Sequence, residues 1–166
     1  MNRAQPEESG AGIIVSGEEL RRFATAILNH AGVPEESARL AAEIIVEANL
    51  RGVDTHGVWY LDVYARRLTK GLVNPRPNFI FVKPRAAVGI LDADHSLGQL
   101  AALQAMKYAV AMAKECGIAT VSVRNSNHFG AAAHYTMWAA RQNCLGMGSK
   151  GGLKGLHRLE QKMSQG

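Results

Sequence analysis

The loop Asn125–Gly130 carries the side chains best suited to chemistry. Its sequence, NSNHFG, follows a predicted strand and opens a predicted helix, which is where α/β proteins commonly bind ligands. The imidazole of His128 titrates near neutral pH and so can take and return a proton in one catalytic cycle. Asn125 and Ser126 offer hydrogen bonds to a substrate oxygen. From these residues alone, a histidine that is simply buried or that caps a helix remains an alternative.

A second polar cluster, RGVDTHG, occupies residues 51–57 between two predicted helices. In one interpretation Asp54 or Thr55 caps the helix that follows, because a short oxygen-bearing side chain accepts a hydrogen bond from a free amide in the first turn. In the other interpretation the cluster lines a cleft over a neighbouring layer, with His56 among its polar side chains. Both interpretations stay open at this point.

Two further motifs look like ligand sites, but we predict neither. Residues 92–96, DADHS, combine two carboxylates with an imidazole. We interpret them as a turn followed by a helix N-cap and expect no metal. Residues 146–152, GMGSKGG, lack both the G-x-x-x-x-G-K-[ST] spacing of a P-loop and a strong helix after it. His30 and His134 lie within helical patterns, so we assign them structural roles.

The elements that position these motifs fall into two groups. Apolar residues at helical spacing predict three short helices within residues 16–73, the first of them opened by the capping box Ser16–Glu19. After the extended segment NPRP the pattern changes to strands alternating with alanine-rich helices. We expect strands at 79–82, 87–91 and 118–123, the last of them buried, and helices at 97–116 and 131–142. This order predicts an α/β layer packed behind a helical one.

Composition and charge exclude several classes of protein. The chain has 166 residues, of which 47% are hydrophobic and 20% charged, as in a globular protein. Four basic residues against one acidic residue follow Leu145, so most of the net charge of +5 lies in the last segment. We therefore expect no nucleic-acid partner, a disordered segment 1–15 and a flexible basic tail 148–166. The two cysteines form no C-x-x-C pair, and no apolar run is long enough to span a bilayer. These features predict a cytoplasmic protein without a membrane partner.

The motifs DTHG and NSNHFG, in this order and with their flanking residues, resemble the malate/L-lactate dehydrogenase family of the second type. The likeness covers about residues 16–147. It implies an α/β fold, in which a small N-terminal helical layer precedes part of a non-Rossmann mixed-sheet domain that binds nicotinamide. Residues 16–73 then form the substrate-side layer, and residues 74–147 form part of the cofactor domain. The resemblance also implies a homodimer.

The same resemblance implies hydride transfer between NAD or NADP and a small 2-hydroxy or 2-keto acid similar to malate or lactate. His128 becomes the catalytic acid and base. The substrate-binding residues become His56, Thr55, Asn125 and Ser126.

Two departures accompany this resemblance. Tyr60 stands where the family commonly has an arginine, and a phenol cannot form the bidentate pair that a guanidinium forms with a carboxylate. The chain is also about half as long as the family's members, so we expect a truncated copy with most of the cofactor site missing and activity impaired. The alternative is a non-catalytic chain that at most pairs with a full-length subunit.

Overall fold

The computed structural model describes residues 14–150 and confirms the predicted α/β class. Two short 3₁₀ turns, Asp54–His56 and Val58–Tyr60, precede the third helix. In chain order the elements are α1 (Gly17–His30), α2 (Glu35–Leu50), α3 (Leu61–Thr69), β1 (Ile80–Arg85), β2 (Val88–Ser96), α4 (Gly98–Cys116), β3 (Thr120–Ser126) and α5 (Ala133–Arg141).

The first three helices form the predicted helical layer. The capping box that opens α1 is confirmed, since Ser16 Oγ accepts a hydrogen bond from the Glu19 amide at 3.1 Å and the Glu19 carboxylate accepts one from the Ser16 amide at 3.3 Å. Helix α2 is the centre of the layer, with seven of its residues buried. Around it pack buried side chains from the other two helices and the following loop, namely Ala24, Leu28, Tyr64, Leu68 and Val73.

The three strands form one mixed sheet in the order β1-β2-β3. β1 runs antiparallel to the central strand β2, and β3 runs parallel to it. Leu91 lies at the middle of the sheet, opposite Phe81 on one side and Val123 on the other, and is fully buried. Helix α4 connects β2 to β3, as a parallel pair requires, and brings the loop after β3 to the end of β2.

Two predictions about the sheet are wrong. Strand β2 continues to Ser96, which pairs with Ser126 of β3, so residues 92–96 end a strand rather than form a turn with an N-cap. Helix α4 accordingly begins without a side-chain cap. Strand β3 is not buried, and the adjacent Ile118 is 78% exposed. The reason is its place at the edge of the sheet, where β2 is its one neighbouring strand among residues 14–150.

Some sequence predictions concern residues that the structure does not describe. The predicted disordered segment 1–15 and basic tail 148–166 lie almost entirely outside residues 14–150. The proposed domain boundary near residue 74 stays a prediction. Within the described residues, no helix combines the length and the apolar character needed to cross a membrane.

A candidate acid–base site around His128

The loop that carries His128 is anchored by its neighbour Asn127. The Asn127 amide nitrogen donates to the backbone carbonyl oxygens of His95 at 2.8 Å and Ser96 at 2.9 Å. Its amide oxygen accepts a hydrogen bond from Arg67 of α3 at 2.8 Å. One side chain therefore joins the loop to the end of β2 and to the helical layer, and this fixes where the His128 ring lies.

The start of α4 packs directly against the same loop. A Cβ atom at Gly98 would lie 2.3 Å from the carbonyl oxygen of Asn127 and 2.5 Å from the carbonyl carbon of His128. Real Cβ contacts are essentially never this short, so only glycine lets the helix and the loop approach each other here. The close approach places the His128 backbone at the first turn of α4.

The imidazole of His128 is half-buried among aromatic rings from the helical layer. Its Nδ1 lies 2.7 Å from the hydroxyl oxygen of Tyr64. The ring centroid of Tyr60 is 4.7 Å away, and that of His56 is 5.5 Å away. Burial lowers the pKa of His128 below its ordinary value, and the positive charges of His56 and Lys150 lower it further. The neutral imidazole is therefore favoured at neutral pH.

The contact with Tyr64 occupies Nδ1 of His128 and leaves Nε2 as the nitrogen that can face a ligand. Burial raises the pKa of Tyr64, so its hydroxyl stays protonated at neutral pH. A neutral imidazole carries its hydrogen on one nitrogen only. The hydroxyl therefore donates to Nδ1 when that hydrogen lies on Nε2, or accepts from Nδ1, which leaves Nε2 free to take a proton. We assign Nε2 as the atom available for proton exchange with a ligand.

His56 is held by two 3₁₀ turns that depend on Asn49. The Asn49 amide nitrogen donates to Asp54 Oδ1 at 2.6 Å, and its amide oxygen accepts from the Val58 amide at 2.9 Å. Gly57 lets this side chain pass, since a Cβ there would lie 2.1 Å from Asn49 Oδ1. The interpretation that Asp54 or Thr55 caps the next helix is therefore wrong, because α3 begins after a second turn and has no side-chain cap.

The structure brings together only part of the predicted substrate-binding set. His56 lies beside His128, and Thr55 Oγ1 lies 3.1 Å from His56 Nδ1. Asn125 instead donates to both carboxylate oxygens of Asp92, at 3.0 and 3.1 Å. Ser126 is exposed, and its hydroxyl donates to the Asn127 carbonyl oxygen at 3.4 Å. The polar groups of Asn125 and Ser126 are thus engaged in hydrogen bonds within the protein in this structure.

Sequence reasoning missed two residues that shape this site. Tyr64 was not singled out, although it follows Tyr60 by four residues and so shares one face of a helix with it. Asn49 gave a weaker signal, an amide in the last turn of a helix beside a polar cluster. Both act through contacts with distant or non-adjacent residues, which local patterns do not reveal.

The carboxylates of residues 92–96 have partners within the fold. Asp92 forms an ion pair with Arg124 at 3.0 Å in addition to its contact with Asn125. Asp94 accepts hydrogen bonds from the side chain of Asn74 at 2.8 Å and the amide of Asn78 at 3.0 Å. Within residues 14–150, no group of three histidine, cysteine, aspartate or glutamate side chains is arranged to hold a metal ion.

We tested whether the described residues fit the phosphates of a dinucleotide. Glycines 146, 148 and 151 match the G-x-G-x-x-G spacing, but the motif follows α5 and not the strand that such a loop requires. A Cβ at Gly146 would lie 2.8 Å from Ala139 Cβ, so this glycine packs against α5. The start of α4 is covered by the His128 loop. The described residues therefore do not fit a phosphate cradle.

Comparison with known proteins gives the family. The family model for malate/L-lactate dehydrogenase matches residues 15–150. The chain is similar to the L-sulfolactate dehydrogenase of Methanocaldococcus jannaschii, with 36% identity over 81% of this chain and 39% of the relative. It is similar to the malate dehydrogenase of Pyrococcus horikoshii, with 38% identity over 81% of this chain and 38% of the relative. The NAD(+)-dependent ureidoglycolate dehydrogenase of Escherichia coli is 34% identical over 80% of the chain.

Solved structures agree with the sequence relatives. The Pyrococcus horikoshii malate dehydrogenase superposes with a TM-score of 0.75, covering 78% of this chain and 37% of its own. The Methanocaldococcus jannaschii sulfolactate dehydrogenase gives a TM-score of 0.76 and covers 79% and 38%. This chain thus spans about two fifths of the length of these relatives. The resemblance seen in the DTHG and NSNHFG motifs is confirmed, and the chain belongs to the malate/L-lactate dehydrogenase family.

Proposed function

We propose that this protein takes part in the reversible reduction of a small 2-keto acid, similar to oxaloacetate or pyruvate, to the 2-hydroxy acid. One observation carries the proposal: a half-buried imidazole, fixed at Nδ1 by a buried tyrosine, faces a second imidazole in a chain of this family. We further propose a cytoplasmic homodimer. Cys116 and Cys144 are both free thiols, which supports a reducing compartment.

The proton step is assigned to His128. NAD or NADP, for which we assign no binding residue among 14–150, would supply or accept the hydride at the reacting carbon. During reduction Nε2 of the His128 imidazolium donates its proton to the developing alkoxide oxygen. During oxidation Nε2 accepts the hydroxyl proton, which requires the neutral tautomer whose hydrogen lies on Nδ1 and is donated to the Tyr64 hydroxyl oxygen. Such general acid–base catalysis typically contributes about 10²- to 10⁴-fold in rate. The partial burial of His128 supports this role, since it keeps the ring from exchanging its proton freely with water.

His56 and the cations near the loop are proposed to hold the acid. His56 lies close enough to His128 for one small molecule to contact both rings, and its contact with Thr55 orients it. The positive charge of Lys150 lowers the pKa of His128, and Arg67 donates a hydrogen bond to the side chain of the neighbouring Asn127. The positive charges of Lys150 and Arg67 near the loop favour binding of a carboxylate at this place. Tyr60 adds one hydrogen-bond donor where the resemblance led us to expect a guanidinium.

The cofactor enters this proposal only as the source of hydride. Because residues 14–150 offer no cradle for the phosphates of a dinucleotide, we assign none of them to cofactor binding. The proposal therefore concerns the proton and the acid, which the described side chains can serve.

A second candidate is a chain that works by pairing with another subunit. Its specific support is the exposure of apolar side chains along the sheet, with Ile80 57% exposed, Val82 50% exposed and Ile118 78% exposed. Contiguous apolar surface and open strand edges favour association. In this case the purified chain would have no turnover and would form a complex with a longer family member.

Turnover by the purified chain tests the first proposal against the second. The assay measures oxidation of NADH and NADPH with oxaloacetate and pyruvate, and the reverse reaction with malate and lactate. We expect turnover weaker than that of the Pyrococcus horikoshii malate dehydrogenase, and we expect His128→Gln to lower it by about 10²- to 10⁴-fold. His30→Gln is the matched control, because His30 is an exposed histidine in the last turn of α1.

Two results would count against this reading. Activity of His128→Gln within a few-fold of the unmodified chain would show that another group moves the proton. Absence of turnover, together with co-sedimentation of the chain and a full-length relative, would favour the pairing subunit.

A further inference from the structure

Gln99 has an unusual environment for a glutamine. It lies in the first turn of α4 and is completely buried. Neither its amide oxygen nor its amide nitrogen has a hydrogen-bond partner among residues 14–150. An unpaired buried amide is destabilising, and buried polar atoms without a partner are rare in folded proteins. An apolar side chain of the same size would avoid this cost, so the amide calls for a functional explanation.

The amide lies directly behind the His128 site. A Cβ at Gly130, just after the NSNHF sequence, would lie 3.7 Å from Gln99 Nε2 and 3.9 Å from the carbonyl oxygen of His56. Leu97 and Leu100, on either side of Gln99 in the chain, belong to the same buried core cluster as Tyr64. Burial raises the pKa of Tyr64, and interaction with the Gln99 amide opposes that rise. Gln99 thus shares the core around the hydroxyl that binds His128, although no hydrogen bond joins the two groups in this geometry.

We propose that Gln99 is a positioning residue that acts on His128 through Tyr64, as the inner end of a reversible hydrogen-bond chain. The proposal rests on the proposed function for its role in catalysis. When His128 is neutral with its hydrogen on Nε2, Gln99 Nε2 donates to the Tyr64 hydroxyl and that hydroxyl donates to His128 Nδ1. When Nδ1 carries a hydrogen, in the imidazolium and in the neutral tautomer that accepts at Nε2, Nδ1 donates to the hydroxyl, which now donates to Gln99 Oε1.

A glutamine suits this position because its amide offers a donor and an acceptor that exchange places by rotation of one bond. The acceptor, Gln99 Oε1, matters most when His128 is an imidazolium. Without it, protonation of His128 would leave the buried Tyr64 hydroxyl with a hydrogen and nothing to accept it. Gln99 thus favours the protonated state of His128 from the inside, whereas burial and nearby positive charges oppose that state.

Several other groups face His128 and must be held constant in any test. His56 and Tyr60 face it from the two 3₁₀ turns, and Tyr64 faces it from α3. Lys150 acts on it through charge. Arg67 reaches only the neighbouring Asn127. Gln99 is neutral, so replacing it by another neutral residue changes no charge in this set.

The test is an NMR titration of the imidazole nitrogens in the whole chain labelled with ¹⁵N-histidine, without substrate or cofactor. We expect Gln99→Met to lower the proton affinity of His128 about two- to tenfold, the equivalent of one net hydrogen bond. We expect Gln99→Glu to preserve or raise it, because a carboxyl group still accepts from Tyr64. In the Tyr64→Phe background, Gln99→Met should leave the proton affinity unchanged.

Each of the following results would overturn the proposal. Gln99→Met with unchanged proton affinity and higher stability would mean that the amide is only a buried cost. If Gln99→Met lowered the proton affinity of His128 equally in the Tyr64→Phe background, Tyr64 would not transmit the effect of Gln99. A lowered proton affinity of His128 in Gln99→Glu would exclude the acceptor role. This second variant keeps the proposal testable if Gln99→Met does not fold. A failure of the proposed function would instead appear as absent turnover with these titration shifts intact.

Discussion

Replacement of Gly98 by alanine should displace the His128 loop, because this glycine sets the distance between that loop and α4. The added Cβ would lie 2.3 Å from the Asn127 carbonyl oxygen. Raising that separation to 3.0 Å, below which Cβ contacts are essentially never found, requires a movement of about 0.7 Å. The obstacle is backbone, so no side-chain rotation relieves it. Overpacking of this kind costs about 1–3 kcal/mol.

Gly17 provides a matched control for this substitution. Like Gly98, it is the first residue of a helix. A Cβ there would meet only side-chain atoms, the nearest being a Leu50 methyl at 3.4 Å. Alanine is up to about 1 kcal/mol better than glycine in a helix, so Gly17→Ala should be neutral or stabilising. The two variants should therefore differ in unfolding free energy by at least about 1 kcal/mol.

Urea unfolding followed by far-ultraviolet circular dichroism measures this difference, and imidazole ¹⁵N shifts report on the loop. In Gly98→Ala we expect lower stability and a changed His128 signal, because movement of the loop disturbs the 2.7 Å contact with Tyr64. Gly17→Ala should leave the His128 signal as it is. Equal stability of the two variants with an unchanged His128 signal would refute this reasoning about the site.

Two other predictions concern the supports of the site. Asn49→Ala should destabilise the protein by about 1–3 kcal/mol and broaden the His56 signals, because the two 3₁₀ turns lose both hydrogen bonds that hold them. Burial raises the pKa of Glu47, but hydrogen bonds and charge from Arg51 and His134 outweigh it, and the net pKa is lowered. Glu47 thus contributes stability that is present above its ordinary pKa and is lost as the pH falls through its lower value in the folded protein. Glu47→Gln should therefore destabilise the protein at neutral pH, and its difference from the unmodified chain should shrink as acid is added.

Each of these substitutions has a control elsewhere on the helical layer. Asn29→Ala removes a half-buried amide of α1 that donates a hydrogen bond to Glu35. Glu43→Gln changes an exposed carboxylate on the same helix as Glu47. If the Asn49 variant were no less stable than the Asn29 variant, the turns would not depend on Asn49. If the difference in unfolding free energy between Glu47→Gln and the unmodified chain did not change with pH, the ion pairs of Glu47 would add nothing to stability.

The sequence was sufficient to predict the elements that depend on local pattern. Ser16–Glu19 predicted the start of α1, since both partners of a capping box lie within one turn. The alanine-rich pattern predicted a helix at 97–116, within one residue of α4. The motifs DTHG and NSNHFG brought His56 and His128 into one hypothesis, and the structure places their rings 5.5 Å apart.

Features that depend on distant partners could not be read from local pattern. Strand β2 continues to Ser96 because β3 pairs with it there, so a segment that looked like a turn became strand. Asn125 appeared free to bind a substrate, but its nearest partner is Asp92, thirty-three positions earlier. Tyr64 meets His128 across sixty-four positions. Only the packing of the helical layer on the sheet creates such contacts.

The pH dependence of 2-keto acid reduction by the purified chain tests the central claim most directly. Since His128 must be protonated to donate, kcat/KM for reduction should fall as the pH rises through the pKa of His128. Burial, His56 and Lys150 place that pKa below the ordinary histidine value. The oxidation of the hydroxy acid should rise through the same pKa. In His128→Gln this dependence should disappear and the rate should be about 10²- to 10⁴-fold lower. An unchanged pH profile in that variant would contradict the claim that His128 moves the proton.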